Sequence, residues 1–223
     1  MFPLISISMH NFYRVLWMAF MVAMVNVSCA QPKPAKQIPY EALRVELEQI
    51  LDADQGVRQK MSSVKEEDMN AFFKEMQQVD SVNQGKVLKI LQQYGWLPQS
   101  KIGEKAAEGI FFVIQHAPLK VIETYFPQMK RLAQAGEANK TLAAMMEDRL
   151  LMFQGKKQIY GTQATSMQSP DGKNRIWPIE NPEKVNERRK AAGFTNTVEE
   201  NAQRLNAIYN PKEELPANPV RFH

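Results

Sequence analysis

From Tyr40 to Gln154 the apolar residues recur at three- and four-residue steps, and from Gln158 to Ile179 the period shortens towards two. The first pattern predicts amphipathic helices and the second predicts strands. Helices are expected over Tyr40–Met61, Lys65–Val79, Asp80–Tyr94, Gly103–His116, Leu119–Ala135 and Asn139–Gln154. The punctuation agrees: Gly95-Trp96-Leu97-Pro98 stops one helix, Pro118 ends another, and Gly136 and Gly155 sit where helix C-terminal glycines belong. Gln158–Thr165 and Asn174–Ile179 flank Ser169-Pro170-Asp171-Gly172, which reads as a β-hairpin at about 157–179. Two strands alone are marginal, so the hairpin must pack on the helices. Pro182–Ala192 and Thr197–Tyr209 read as short terminal helices, followed by an irregular tail, 210–223. The fold class expected is mainly α, a single helical domain with one β-hairpin in the C-terminal third.

Several apolar faces carry polar residues. In the first helix the stripe Leu43, Leu47, Ile50, Leu51, Val57 and Met61 includes Asp54, four residues after Ile50, and Arg58 follows four later. In the third, Asn83 and Asp80 extend the stripe Val87, Ile90, Leu91 and Tyr94 backwards. His116 ends the helix of Ile102, Ala106, Gly109 and Val113, where the dipole favours a protonated ring. Arg149 falls among Leu142, Met145, Met146, Leu150 and Phe153, with Asp148 on the flank. An inward charge must be paired, because an isolated buried one costs more than a domain can spare. Each position also has an ordinary reading. Asp54 and Arg58 can form a half-exposed salt bridge, Asp80 can cap a helix, and a lone histidine often makes only a structural hydrogen bond. The repetition of the violation in four helices points to a buried polar site.

Before the domain lies an unbroken apolar run, Val15–Val25 after Arg14, too short for a bilayer that needs roughly 20 residues. Residues 1–30 read as an export signal and 31–39, rich in proline, as a spacer. Two processing outcomes fit Ser28-Cys29-Ala30-Gln31: type I cleavage before Gln31, or lipidation of Cys29 as in a lipoprotein, although Asn26 departs from the usual lipobox. Cys29 is the only cysteine, which excludes a disulfide and thiolate chemistry from the domain. The chain carries a net charge of +4 and the signal takes only Arg14 with it, so the domain is mildly basic without a basic stripe, and nucleic acid is excluded as a partner. Contact with a membrane is expected only through a lipid anchor at Cys29. One histidine between the signal and His223 disfavours a zinc site, and no motif names a cofactor.

The segments LDADQGVRQK, Asp80 to Asn83, YGW, Gln115-His116, EDRLLMFQGKKQIYGTQ and WPIENPEKVNERRKAAG resemble the uncharacterised bacterial proteins of the DUF6624 domain family, over roughly Tyr40 to Ile208. That resemblance implies no activity. It carries over the positions Asp54, Gln55, Arg58, Asn83, Gln115, His116, Asp148, Arg149, Tyr160 and Gln163. The periodicity assigns chemistry to them: His116, Asp148 and Asp54 as catalytic candidates, and Gln55, Arg58, Asn83, Gln115, Arg149, Tyr160 and Gln163 as ligand-binding ones. Two functional readings stand. In one, an exported envelope protein binds a small polar or anionic molecule and acts as a hydrolase through His116 and an activated water. In the other, a non-catalytic module uses the same polar network only to fix its core.

Overall fold

The computed structural model describes residues 38–167, 169 and 171–216. The expected export segment, Cys29, the spacer before Ile38 and the tail after Pro216 lie outside the described residues. Helix α1 (Tyr40–Gln59) buries Leu43, Leu47, Ile50, Leu51 and Val57 along one stripe, with Asp54 in the same stripe. The chain leaves α1 before Met61 and enters two 3-10 turns, Lys60–Ser63 and Glu66–Asp68, so Met61 stays exposed rather than joining the stripe.

Helix α2 (Met69–Tyr94) is continuous where the pattern suggests two helices meeting at Asp80. No glycine or proline interrupts the chain there, and the charge that suits Asp80 to a cap is answered instead by Arg58 of α1. α2 stops at Gly95, whose φ of 72° is open to glycine and strained for other residues. A single turn, α3 (Gln99–Ile102), precedes α4 (Glu104–Gln115). Pro118 then starts α5 (Leu119–Gln134), and Asn139 caps α6 (Lys140–Phe153) by accepting from the N–H groups of Thr141 and Leu142.

These helices share one core that includes Leu47, Val87, Ile110, Ile114, Ile122, Met129 and Met146. α1 and α4 make the most extensive contact. Gly109 permits it: a Cβ there would stand 2.4 Å from the carbonyl oxygen of Leu47. α6 packs on α5 along one side and on α4 along another.

After Gly155 the structure departs from the expected long strands. Among the described residues the strands are β1 (Ala164–Thr165) and β2 (Arg175–Ile176), which pair antiparallel with Ala164 opposite Ile176. Gln158 makes an isolated parallel bridge with Ile179. The stretch 159–162 is irregular because its N–H groups are given to Asp148 rather than to a neighbouring strand, and Gly161 has a φ of 69°. Two short helices follow, α7 (Val185–Ala191) and α8 (Val198–Arg204), the second started by a capping box of Thr197 and Glu200. α8 ends before the expected Tyr209, since Ile208 bridges to Arg175 and Asn206 turns the chain at a φ of 48°. Ile176, Ile179, Val185, Val198 and Ala202 form a second small core. The result is a mainly helical domain with one small hairpin in its C-terminal third. Among the described residues no helix is long and apolar enough to cross a membrane.

Candidate functional site

Asp54 and Arg58 stand one turn apart on α1, facing α2 and the end of α4. Asp54, only 1 % exposed, accepts on Oδ1 from Arg58 Nη1 at 2.9 Å and on Oδ2 from Gln55 Nε2 at 2.7 Å. Arg58 Nη2 reaches across to Asp80 of α2, at 2.9 and 3.1 Å from its two oxygens. His116, at the C-cap of α4, sets Nδ1 3.4 Å from Asp54 Oδ1 and stacks on Phe112. An ionised carboxylate only accepts, so the Nδ1 proton is directed at Asp54 and the lone pair rests on Nε2. Asp54 and His116 border a cavity of about 270 Å³ together with Gln77, Asp80, Ser81 and Gln84. A larger hollow of about 460 Å³ by the hairpin, lined by Thr165, Arg175, Trp177 and Glu214 among others, contains no buried acid–base pair. The buried carboxylate–imidazole pair lies at the smaller one.

The electrostatics of the pair are mutual. Burial alone would raise the Asp54 carboxyl, but His116, Arg58 and Gln55 hold it below its ordinary value. Burial lowers the His116 imidazole, the hydrogen bond to Asp54 opposes that, and the charges of Arg58 and Arg149 lower it further. Near neutral pH the pair is thus a carboxylate beside a neutral imidazole, the state in which a histidine can accept a proton.

Helix α6 sends its two charges different ways. Asp148 is the more deeply buried, at 0 % exposed, and accepts from the N–H groups of Ile159, Tyr160 and Thr162 and from the Thr162 hydroxyl. Burial pushes its carboxyl up to about 6, while those donors pull it back. Its role in the structure is to hold the 159–162 segment against α6. Arg149 is half-buried, donates from Nε to Gln163 Oε1 at 3.0 Å, and lies 5.8 Å from the centre of the Phe153 ring. Burial and the nearby charge of Arg58 bring its guanidinium down to about 10, still protonated at neutral pH.

The expected residues thus fall into two groups. Asp54, Gln55, Arg58 and His116 form one bonded cluster, joined by Asp80. Asp148, Arg149 and Gln163 form a second around the 159–162 segment, coupled to the first through the charge of Arg149. Tyr160 turns its ring to a separate cleft with Phe126, Lys130 and Glu147, and packs near Phe194. Asn83 is buried and donates to the Ile50 carbonyl, at 3.5 Å, tying α2 to α1. Gln115 is buried beside His116, its Oε1 without a hydrogen-bond partner among the described residues. Of the expected residues Asp54 and His116 line the cavity, and Gln55, Arg58, Asn83, Gln115, Asp148, Arg149, Tyr160 and Gln163 do not.

Gln77, Ser81 and Gln84 were not singled out from the sequence, yet with Asp80 they form a polar stripe at three- and four-residue steps on α2. Reading α2 as one helix would have revealed it. Arg189 stands in the matched segment WPIENPEKVNERRKAAG but carries no site role in the sequence reading. It is 1 % exposed, bonds the carbonyls of Tyr160 and Asn196, lies 4.4 Å from the Phe194 ring centre, and serves as a clamp on the chain. Among the described residues no three His, Cys, Asp or Glu side chains are grouped to hold a metal ion.

The fold and the site define a helical domain with a carboxylate–imidazole pair at the edge of a small polar cavity. The model of a family of unknown function, DUF6624, matches residues 41–213, and the chain belongs to that family. No curated protein and no solved structure matches it.

Proposed function

We propose that the cavity beside His116 binds a small polar or anionic molecule and that the protein hydrolyses it with an activated water. The observation that carries this is the Asp54–His116 pair: a fully buried, acceptor-only carboxylate fixes the imidazole tautomer at the edge of a cavity. His116 Nε2 takes a proton from water as the oxygen attacks the electrophilic centre of the ligand. Asp54 steadies the imidazolium that forms, and the proton passes to the leaving group as its bond breaks. Gln77, Ser81 and Gln84 supply neutral hydrogen-bonding groups for the ligand, and with Arg58 already paired by Asp54 and Asp80 it is the charge of Arg149, felt at His116, that favours an anionic one.

A thermal-shift screen of small carboxylates, phosphate esters and polar amides would find ligands, and mass analysis of the incubated mixtures would detect addition of water. His116→Gln should keep binding and lose turnover by about 10² or more. Equal turnover in that variant would overturn the reading. The non-catalytic reading has one observation on its side: both oxygens of Asp54 are already satisfied by Gln55 and Arg58, so the network is complete without a ligand. Binding without water addition would favour it. Export is part of the same proposal, and intact mass of the mature chain should place its first residue at Cys29 or Gln31.

A further inference from the structure

Asp148 and Arg149 are neighbours on α6 and stand at opposite ends of one hydrogen-bonded chain. Asp148 Oδ2 accepts from Thr162 Oγ1 at 2.9 Å. A carboxylate has no proton to give, so the Thr162 hydroxyl proton is committed to it and Oγ1 is left to accept. It does so from Gln163 Nε2, at 2.9 Å, and the same amide nitrogen lies 3.4 Å from the Met145 carbonyl. Gln163 Oε1 must then face Arg149 Nε, at 3.0 Å. The backbone of Gln163 is pinned as well, its N–H to Gln158 Oε1 and its carbonyl to Gln158 Nε2, both at 2.9 Å. A flipped Gln163 amide would set two donors against each other at Arg149, so the amide has one permitted orientation.

With Nε engaged by a neutral oxygen, neither Nη nitrogen of Arg149 has a hydrogen-bond acceptor among the described residues, and no carboxylate pairs with it there. Arg58, the other guanidinium near His116, is fully paired by Asp54 and Asp80. We infer that the two Nη groups of Arg149 form a fork that receives one oxyanion of the ligand, a carboxylate or a phosphoryl group, and that Asp148, Thr162 and Gln163 are its positioning residues. Arg149 is not among the residues that border the His116 cavity, though its charge acts on His116; the fork extends, and rests on, the ligand site proposed above. The planar fork matches the paired oxygens of such a group, and a guanidinium held along its Nε edge loses little freedom on binding.

Calorimetric titration of the full chain with sodium phosphate and with sodium acetate separates the two oxyanions, and side-chain ¹⁵N NMR follows the Arg149 Nε–H and the Gln163 amide. The wild type should bind one of the two ions at a single site, and Arg149→Met should abolish it. Thr162→Val keeps the side-chain shape but removes the relay, so it should weaken that binding about tenfold and shift the Gln163 amide signals, leaving the His116 titration in place. Gln163→Glu places a carboxylate against Arg149 and should displace the ion altogether. Wild-type affinity in Thr162→Val with loss in Arg149→Met would remove the relay and leave the fork. Unchanged binding in Arg149→Met, or none in the wild type, would overturn the fork, while the hydrolysis test with His116→Gln stands apart. If Thr162→Val does not fold, ion binding retained by Gln163→Glu overturns the inference by itself.

Discussion

Arg58 and Arg149 are both half-buried guanidiniums close to His116, yet their replacement should have opposite consequences. Arg58 neutralises a carboxylate that is almost wholly inaccessible, and a second one across the α1–α2 interface. Arg58→Met should therefore cost about 3 to 5 kcal/mol, the penalty for leaving a buried charge without its partner. Arg149 gives up a hydrogen bond to a neutral amide and a distant contact with the Phe153 ring, but no ion pair among the described residues. Arg149→Met should change stability by no more than about 1 kcal/mol, in either direction. Urea denaturation of the two variants beside the wild type checks both values, and a loss in Arg149→Met as large as in Arg58→Met would make Arg149 a structural residue. His116 gives a further test at this scale. Its imidazole is held low by burial against the opposing pull of Asp54, so Asp54→Asn should move its NMR titration midpoint lower still. A midpoint that rises would mean the two groups are not coupled as the geometry places them.

At the scale of elements, the site depends on how closely α1 and α4 approach. Asp54 sits on one helix and His116 at the end of the other, and Gly109 sets the distance between their axes. Gly109→Ala drives a Cβ into the Leu47 carbonyl, a backbone atom that cannot swing aside. It should cost roughly 2 to 3 kcal/mol, more than the gain in helix propensity returns, and it should disturb the His116 titration as the helices part. An unchanged unfolding midpoint and His116 titration would show that this interface has slack. The 159–162 segment is held by a different device, side-chain charges instead of backbone pairing. Asp148 takes its N–H groups from one side, while Arg189 takes the Tyr160 carbonyl from the other. That arrangement keeps the Gln163 amide next to Arg149 without a long strand.

For the whole molecule, the buried acid–base pair makes stability depend on pH. The folded-state pKa of His116 lies below its ordinary value near 6.5, so the folded protein favours the neutral ring. Its contribution is complete above that ordinary value and is lost as the pH falls through the folded-state value. Asp54, lowered likewise, contributes above about 4, and that part is lost on further acidification. Asp148, raised to about 6, acts in the opposite sense, favouring the folded state most below about 4 and least above 6. The His116 part is isolated by difference. The stability advantage of wild type over His116→Gln should shrink between about pH 7.5 and about pH 5, as read from denaturation curves at each pH. An advantage that grows on acidification would reverse the assigned direction.

The sequence alone determined the helical class, most helix ends and the hairpin. Those follow from local rules: the 3.6-residue period, glycine at left-handed C-termini, and proline's missing donor. It also placed Asp54, Arg58 and His116 on inward positions, since each continues an apolar stripe on its own helix. Tertiary structure decided the rest. The stripe cannot show that Arg58 reaches Asp80, because the pairing crosses between helices, and with Asp80 read as a cap the lining of Gln77, Ser81 and Gln84 stayed hidden. On α6 the sequence set Arg149 at the centre of the buried face and Asp148 at its edge, and the fold reverses the two. α6 is covered by its helical neighbours on one side and by the 159–162 segment on the other, and that second layer seals Asp148 completely and Arg149 less so. A helical period identifies which residues share a face, but the depth of each face depends on what packs against it, and that partner was supplied by a segment whose own backbone pairing is determined only once the carboxylate of Asp148 is in place.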